Sequence, residues 1–391
     1  MKMLMLLAAG WAVTYANRTV VYPLLSIIAA EYSLSSADAG WLTGSYFLTY
    51  LLLQIPAGIL GDRYGMKRIM LWTYAVAAVG AIGLGLVTGN YSAMVLCMAV
   101  HGLGAGGFYP SSFGMMMRKT EPSRRAFSSA LIGIGMAVGL LTGMTLGGTL
   151  YELFGSIRIP ILVVALPSLL ILLLFARYLP DTDGAPTPAW TQYRAILLDW
   201  DLWRINLTTF TALYGFWVAV TWGPTFLKVE RGFSLGAAGF YTGLMAVSAI
   251  PASMFWGRMA DRIGRKKVAA FVLPASALVL FLLSTLENHA VLIGLLVLFG
   301  MLSNTAFVPS MIAWSADIVE KRHPGLTGVS VGIFNGSIML SAVVAPVISG
   351  FLRDQTGSLG AAMTAAAFLM LAGTLLLLTI PVVQPSARAE G

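Results

Sequence analysis

Charge is what this 391-residue chain has little of: Asp, Glu, Lys and Arg make up 10% of it, against about 25% in an ordinary soluble domain. With 58% of its residues hydrophobic and a mean hydropathy of +0.82, the chain has too few polar groups to face water, which excludes a soluble fold. Cysteine is nearly absent. The single one, Cys97, lies inside an apolar run, so neither a disulfide framework nor a multi-thiolate metal site is available. No His or Cys cluster has metal-ligand spacing, no Gly-x-x-x-x-Gly-Lys loop exists for a nucleotide, and no Ser-His-Asp set can meet at one depth. These absences exclude ATP-driven and hydrolytic chemistry; no enzyme activity and no cofactor are expected. A cleaved leader is not expected either, because the first apolar run continues from Leu4 to Ala30 and lacks a clear small-residue cleavage site.

What remains is a series of apolar runs of roughly 20 residues, the length that crosses a hydrocarbon core about 30 Å thick. They predict an all-α integral membrane protein with spans at 4–30, 38–58, 69–87, 93–117, 127–150, 159–178, 204–227, 236–256, 268–286, 290–314, 327–350 and 360–382. The one long connection, 179–203, passes through Asp181, Asp183, Pro186 and Pro188 into an amphipathic stretch around Tyr193 to Trp203, and divides a half at 1–178 from a half at 204–391. A net charge of +8 could suggest nucleic acid. The basic residues instead fall in alternate short loops: Arg63, Lys67 and Arg68; Arg118, Lys119, Arg124 and Arg125; Arg258, Arg262, Arg265, Lys266 and Lys267; Lys321 and Arg322. That pattern marks those loops and both termini as cytoplasmic in a multi-pass cell (inner) membrane protein, with lipid and not nucleic acid as its surroundings.

The halves repeat at an offset of 199 residues. Gly58, Asp62, Arg63, Gly65 and Lys67 recur as Gly257, Asp261, Arg262, Gly264 and Lys266; Ser35, Ala39, Gly40, Thr43 and Gly44 recur as Ser234, Ala238, Gly239, Thr242 and Gly243; Pro110-Ser111 and Gly133-Ile134 recur as Pro309-Ser310 and Gly332-Ile333. Each half has an even number of spans, so both enter the membrane in the same sense. A parallel repeat of this kind implies two pseudo-symmetric six-helix bundles with a cavity between them near the midplane, exposed to each side in turn by rocking.

Only one charge lies clearly at mid-bilayer, Arg18, between Lys2 and Glu31. An arginine at that depth costs at least about 2.5–3.5 kcal/mol, which makes it a functional residue by default. Asp38, Asp317 and Glu31 sit near span ends and cannot neutralise it at its own depth. A guanidinium facing a cavity attracts an anion, and its planar fork matches a carboxylate. Trp11, Thr14, Tyr15 and Tyr22 share its helical face. The competing reading is that Arg18 caps carbonyls of a helix broken near Pro23, or stacks on a ring.

The stretch Gly58-Ile-Leu-Gly-Asp62-Arg63-Tyr-Gly65-Met-Lys67-Arg68, with its second copy from Gly257 to Lys267, resembles the signature loop of the major facilitator superfamily. The resemblance covers essentially the whole chain. It implies a gradient-driven carrier in which Gly58, Asp62, Arg63, Gly65 and Lys67, with Asp261, Arg262 and Gly264, latch the cytoplasmic ends of the halves; the alternative is that the basic residues only set topology. The superfamily's helix-five antiporter pattern is degraded, since Gly139, Gly143, Gly147 and Gly148 surround Met144 where a proline belongs. Those glycines read as helix packing and do not support antiport. Tyr15-Ala-Asn17-Arg18, followed by Pro23 and by Gln54-Ile-Pro56-Ala-Gly58, is similar to the anion:cation symporter branch, where a first-helix arginine meets organic anions. That branch often carries a helix-four glutamate and arginine, and here Ala105 and Met98 stand near their places, so its usual proton route is not implied. His101 is left as the proton-coupling candidate, against a packing role. By the resemblance, helices one, four, seven and ten line the cavity. This nominates Tyr109, Tyr214, Trp217, Thr221 and Asn304, each with a packing alternative; Tyr214 is the repeat-equivalent of Tyr15.

These readings predict a monomeric secondary active transporter of a small organic anion, a carboxylate, working by alternating access, with the coupling ion, a proton or sodium, left open. Two rivals stand beside it. The 11% aromatic content and 20 methionines would suit an exporter of amphiphilic drugs or lipids. A non-transporting membrane receptor would carry a long soluble tail, which Pro381 to Gly391 is not expected to be.

Overall fold

The computed structural model describes residues 1–121, 124–181, 198–302, 304–323 and 327–381, apart from the side chains of residues 126, 304–306, 327–329 and 331. Lipid offers the backbone no hydrogen-bond partner, so a spanning chain must satisfy its own N–H and C=O groups, and these residues do so as helices. In the first half these are α1 (Lys2–Thr19), α2 (Leu25–Glu31), α3 (Ser36–Tyr64), α4 (Met66–Leu86), α5 (Tyr91–Lys119), α6 (Arg125–Phe154), α7 (Arg158–Ala165) and α8 (Pro167–Tyr178). In the second they are α9 (Trp200–Val229), α10 (Leu235–Ile263), α11 (Arg265–Thr285), α12 (His289–Leu302), α13 (Asn304–Arg322), α14 (Thr327–Thr356) and α15 (Leu359–Leu378). The pairs α1–α2, α7–α8 and α12–α13 each make one crossing, so the described helices cross twelve times. Most of the linker, residues 182–197, lies outside the described residues, and Trp200 to Trp203 already belong to α9.

Sequence equivalence shows in the helix ends. Ser35 Oγ accepts from Asp38 N at 3.0 Å, and 199 residues later Ser234 Oγ accepts from Ala237 N at 3.2 Å, each cap satisfying one of the free donors at a helix start. Gly65 and Gly264 end α3 and α10 at φ values of 92° and 95°, a region that side chains disfavour. Gly58 and Gly257 have no such demand: a Cβ on Gly58 would meet only ordinary contact, at 3.5 Å from Pro110, and one on Gly257 would meet nothing within 4 Å.

Ten of the crossings are long and apolar enough to span a membrane on composition alone. The two that fall short are the first and the seventh. The first is interrupted at residues 20–24 around Pro23, where Tyr22 N bonds Thr19 O and Leu24 N bonds Val21 O in tight turns. The seventh, α9, carries Asp201, Arg204 and Asn206, and is buried without interruption from Thr211 to Leu227, which marks a helix packed on every side.

Small residues set the spacing within the first half. A Cβ on Gly102, Gly104 or Gly106 of α5 would lie 2.0–2.3 Å from Tyr46 O, Ala77 N and Tyr50 O, so α5 is clasped between α3 and α4. Gly135, Gly139, Gly143 and Gly147 of α6 run at four-residue intervals against the backbone of α1. The degraded helix-five pattern is therefore a packing stripe.

The two halves meet along α3 with α14 and α6 with α10. At the face opposite the basic loops both contacts are closed by the same devices. Asp354 accepts from Ser36 N and Ala37 N at 2.8 and 2.9 Å, capping α3, while Glu152 accepts from Leu235 N, capping α10. A Cβ on Gly350 would lie 2.2 Å from Ser36 O, and one on Gly148 2.4 Å from Leu235 O; a Cβ on Gly40 would lie 2.4 Å from Pro346 O, and one on Gly239 2.3 Å from Met144 O. Glu152 and Asp354, Gly148 and Gly350, and the helix-ending Gly155 and Gly357 are each 202 residues apart. The register of α6 against α14 is thus three residues longer than the 199 of the rest of the repeat, and the pairing of Gly133-Ile134 with Gly332-Ile333 is corrected: the extra residues lie before the helices, where sequence identity gives no guide.

Candidate functional site

Arg18 sits one residue before the end of α1, where the following turn brings Tyr22 back toward it. It is 4% exposed. Its Cζ lies 4.1 Å from the Tyr15 ring centroid, 5.1 Å from Phe47, 5.4 Å from Trp217 and 5.7 Å from Tyr46, so aromatic rings of α1, α3 and α9 surround it. Stacking on Tyr15 is real, but cation–π attraction of about 0.5–2 kcal/mol leaves the donors unmet. Nε and Nη2 are buried and make no hydrogen bond of standard geometry among the described residues, with the Tyr15, Tyr22 and Tyr46 hydroxyls as polar neighbours of the guanidinium. The same holds for Tyr22 Oη, Trp217 Nε1 and Thr221 Oγ1, and the Tyr22 hydroxyl faces both Arg18 and Thr221. Each buried donor left unmade costs about 1–3 kcal/mol, more when charged; two of these groups belong to the guanidinium itself and the other three to Tyr22, Trp217 and Thr221.

Arg18 and Tyr15 form one end of a cavity of about 340 Å³. Its wall continues along α6 from Leu140 to Ala130, along α10 from Met245 to Met254, past Leu213, Phe216 and Trp217 of α9 and Ile338 and Met339 of α14. Those stretches lead from mid-depth toward the basic loops, and Ile134 and Met254 on the wall are exposed.

The predicted residues separate into three groups. Arg18, Tyr15 and Trp217 line the cavity, Tyr22 faces Arg18, and Thr221 faces Tyr22. Others are turned into the bundles. Thr14 Oγ1 donates to Gly10 O at 2.8 Å and Trp11 Nε1 to Ser112 Oγ at 3.1 Å, so both are already engaged. Tyr109 packs on Trp11 and Phe113, and Tyr214 on Phe210. His101 is buried in the first half with Nδ1 2.9 Å from Ala77 O and its ring 5.1 Å from Tyr46; it is not among the described lining residues. The side chain of Asn304 lies outside the described residues. Helices one, four, seven and ten do not account for the described lining: it comes from the first, second, fifth, seventh, eighth and eleventh crossings, because α5 is held away by its clasp between α3 and α4.

Sequence reasoning missed Tyr46, Phe47 and Tyr50 of α3, and it also missed a pairing within its own repeat. Arg18 and Trp217 are 199 residues apart, as are Tyr22 and Thr221, so the site is built from equivalent positions of the two halves meeting at their axis. Applying the offset to Arg18 would have found the partner.

Ion pairs tie the basic loops to neighbouring segments. Asp62 pairs with Arg118 at 2.5 Å and Lys67 with Asp181 at 3.2 Å, while Arg265 pairs with Asp317. Arg322 reaches Asp199 at 3.1 Å and Asp201 at 2.7 Å. Burial pushes the Asp199 carboxyl up, but the hydrogen bonds from Arg322 and from the backbone of Asp201 and Leu202 outweigh it and hold the group below the usual carboxylate range.

The family model described as Major Facilitator Superfamily matches residues 7–250 and 205–391. The voltage-gated purine nucleotide uniporter SLC17A9 of Rattus norvegicus is 23% identical over 385 residues, spanning 90% of this chain and 83% of that protein. The "Probable sulfoacetate transporter SauU" of Cupriavidus necator is 23% identical over 380 residues, spanning 88% and 85%. Among solved structures, a bacterial homologue of the human lysosomal transporter Spinster, in an inward-facing and unoccupied conformation, shares the fold with a TM-score of 0.76 at 18% identity, over 97% of this chain and 95% of that one.

Proposed function

The chain belongs to the major facilitator superfamily, and from that premise we propose that it is a secondary active transporter of a small organic anion, a carboxylate, clamped by Arg18. The observation that carries this reading is the buried guanidinium whose Nε and Nη2 make no hydrogen bond of standard geometry at one end of a cavity. One relative is a purine nucleotide uniporter and another a probable sulfoacetate transporter, which supports an anionic cargo.

The cycle follows from the geometry. The cavity opens toward the basic loops, which the charge pattern puts in the cytoplasm together with both termini, so this is the inward-open state. A carboxylate entering it accepts from Arg18 and Trp217 and supplies the charge that the lipid-depth cation lacks. The caps at Glu152 and Asp354 then release, the outer ends part, and the loops around Asp62, Gly65 and Lys67 and around Asp261, Arg262 and Gly264 close the inner face. His101, whose ring lies 5.1 Å from that of Tyr46, remains the proton-coupling candidate.

Uptake of radiolabelled monocarboxylates into proteoliposomes, under imposed proton or sodium gradients, tests the proposal. Saturable uptake that disappears in Arg18→Ala is expected, and the gradient that drives accumulation identifies the coupling ion. Equal uptake by Arg18→Ala would falsify it.

A further inference from the structure

The cavity is chemically lopsided. Among the described residues, Arg18 is the one charged group on its lining, and the Trp217 ring, whose Nε1 makes no hydrogen bond, lies 5.4 Å from its Cζ. Beyond that end the wall turns apolar. On α6 it is Ile134, Met136, Ala137 and Leu140, on α10 Met245, Ala246, Ala249 and Ile250, and Ser253 near the exposed Met254 is the one hydroxyl among them. A solute with a second charge, or with a body rich in hydroxyls, would set those groups against methyl and thioether surface, and an unpaired charge there is far costlier than an unpaired hydroxyl. An apolar body instead gains from the same surface. Tyr15 and Trp217 offer rings beside the cation, Phe216 packs on Trp217, and Met136, Met245, Met254 and Met339 are unbranched thioethers that adapt to an aromatic outline. The volume of about 340 Å³ lies in the range of roughly 300–1,000 Å³ that small-molecule sites occupy.

We propose that the solute is an amphiphilic monoanion: a single carboxylate held by Arg18 and Trp217, joined to an uncharged aromatic or aliphatic body seated between α6, α10 and α14. This rests on the anion reading of Arg18. It unites two readings of the sequence that looked exclusive, an anion clamp and a cavity suited to greasy molecules, because the two chemistries occupy opposite ends of one space.

The test uses the full chain in lipid nanodiscs, with empty nanodiscs of the same lipid as the blank, and calorimetric binding of a panel: acetate, butyrate, hexanoate, benzoate, succinate, gluconate and neutral benzyl alcohol. Affinity is expected to rise along the aliphatic series by roughly fourfold per methylene, the equivalent of about 0.8 kcal/mol, until the wall is covered. Benzoate is expected to bind at least about tenfold more tightly than succinate or gluconate, and Arg18→Ala to abolish its binding. Met339→Gln, close in shape but polar, should weaken benzoate more than acetate. Succinate or gluconate binding as tightly as benzoate, and losing it in Arg18→Ala, would overturn the amphiphile while leaving the anion reading in place. Arg18-independent binding of every anion would remove the anion reading itself, and benzyl alcohol matching benzoate in both proteins would overturn both.

Discussion

The first and seventh crossings occupy equivalent places in the two halves and have come to opposite chemistry. Arg18 on one side corresponds to Trp217 on the other, and Tyr22 to Thr221, each pair 199 residues apart and each in contact or facing across the axis. The outer closures went the other way: Glu152 and Asp354, Gly148 and Gly350, Gly239 and Gly40 kept the same task on both sides. A gate that must shut two seams at once is served by symmetry. A site for a solute with a charged end and an uncharged end is served by its loss.

That contrast can be broken most severely at its charged member. Arg18→Ala is expected to weaken anion binding by at least about 30-fold, since removing one partner of a buried hydrogen-bonded charge pair costs about 2–5 kcal/mol, whereas Trp217→Ala should cost about tenfold. The exchanged double variant Arg18→Trp with Trp217→Arg sharpens the point: calorimetry should find it tighter than Arg18→Ala, because the cation returns to the axis from the other half. No recovery would show that the half matters and not the axis.

Next in size is the closure. Gly350→Leu puts side-chain atoms where Ser36 O lies 2.2 Å from a Cβ position, so the α3–α14 seam cannot shut. Labelling of a Val347→Cys reporter by an impermeant maleimide, in a Cys97→Ser background, should then be at least about tenfold faster, a shift of about 1.4 kcal/mol or more toward the outward-open state. Gly148→Leu should do the same to the α6–α10 seam. Smaller still, Glu152→Gln and Asp354→Asn each remove a charged cap across the halves, worth about 0.5–2 kcal/mol, and the same labelling assay should show similar and roughly additive effects. Unequal effects would mean that one seam governs opening.

The smallest expected effect concerns an ion-pair cluster of the second half, Asp199 with Arg322. Because the folded state holds Asp199 below its ordinary value near about 3.9, its contribution is fully present above that pH and is lost as pH falls through the lowered folded value. Thermal unfolding of Asp199→Asn should therefore differ from the unsubstituted protein by about 1 kcal/mol or less at pH 7, with the difference unchanged down to about pH 5 and shrinking below about pH 4.

Much of the scaffold was legible because lipid imposes a simple rule on sequence. The apolar runs marked all twelve crossings, and the ends of α3, α10, α13 and α14 ran six to eight residues past them to Tyr64, Ile263, Arg322 and Thr356, since a helix does not stop where the hydrocarbon does. Arg18 was legible for the same reason, as a charge at a depth where charge is costly. The lining of the cavity was not. Thr14 and Trp11 share a helical face with Arg18 yet bond inward to Gly10 and Ser112, and Tyr46 and Phe47, unremarkable on α3, close around the guanidinium. Which side of a helix faces a neighbour depends on small residues on that neighbour, such as the glycines that draw α5 against α3 and α6 against α1.

The sequence alone determined that the chain crosses the membrane as a duplicated helical carrier and that a cation, Arg18, lies deep within it, because hydrophobic length, loop charge and repeat offset are written residue by residue. Only the tertiary structure decided that Trp217 meets Arg18, that the remaining wall is apolar, and that the seams are closed by Glu152 and Asp354 in a register of 202 and not 199. Those facts depend on how helices distant in the chain lie against one another, and the close approaches that fix it come from pairs of surfaces that no single segment encodes.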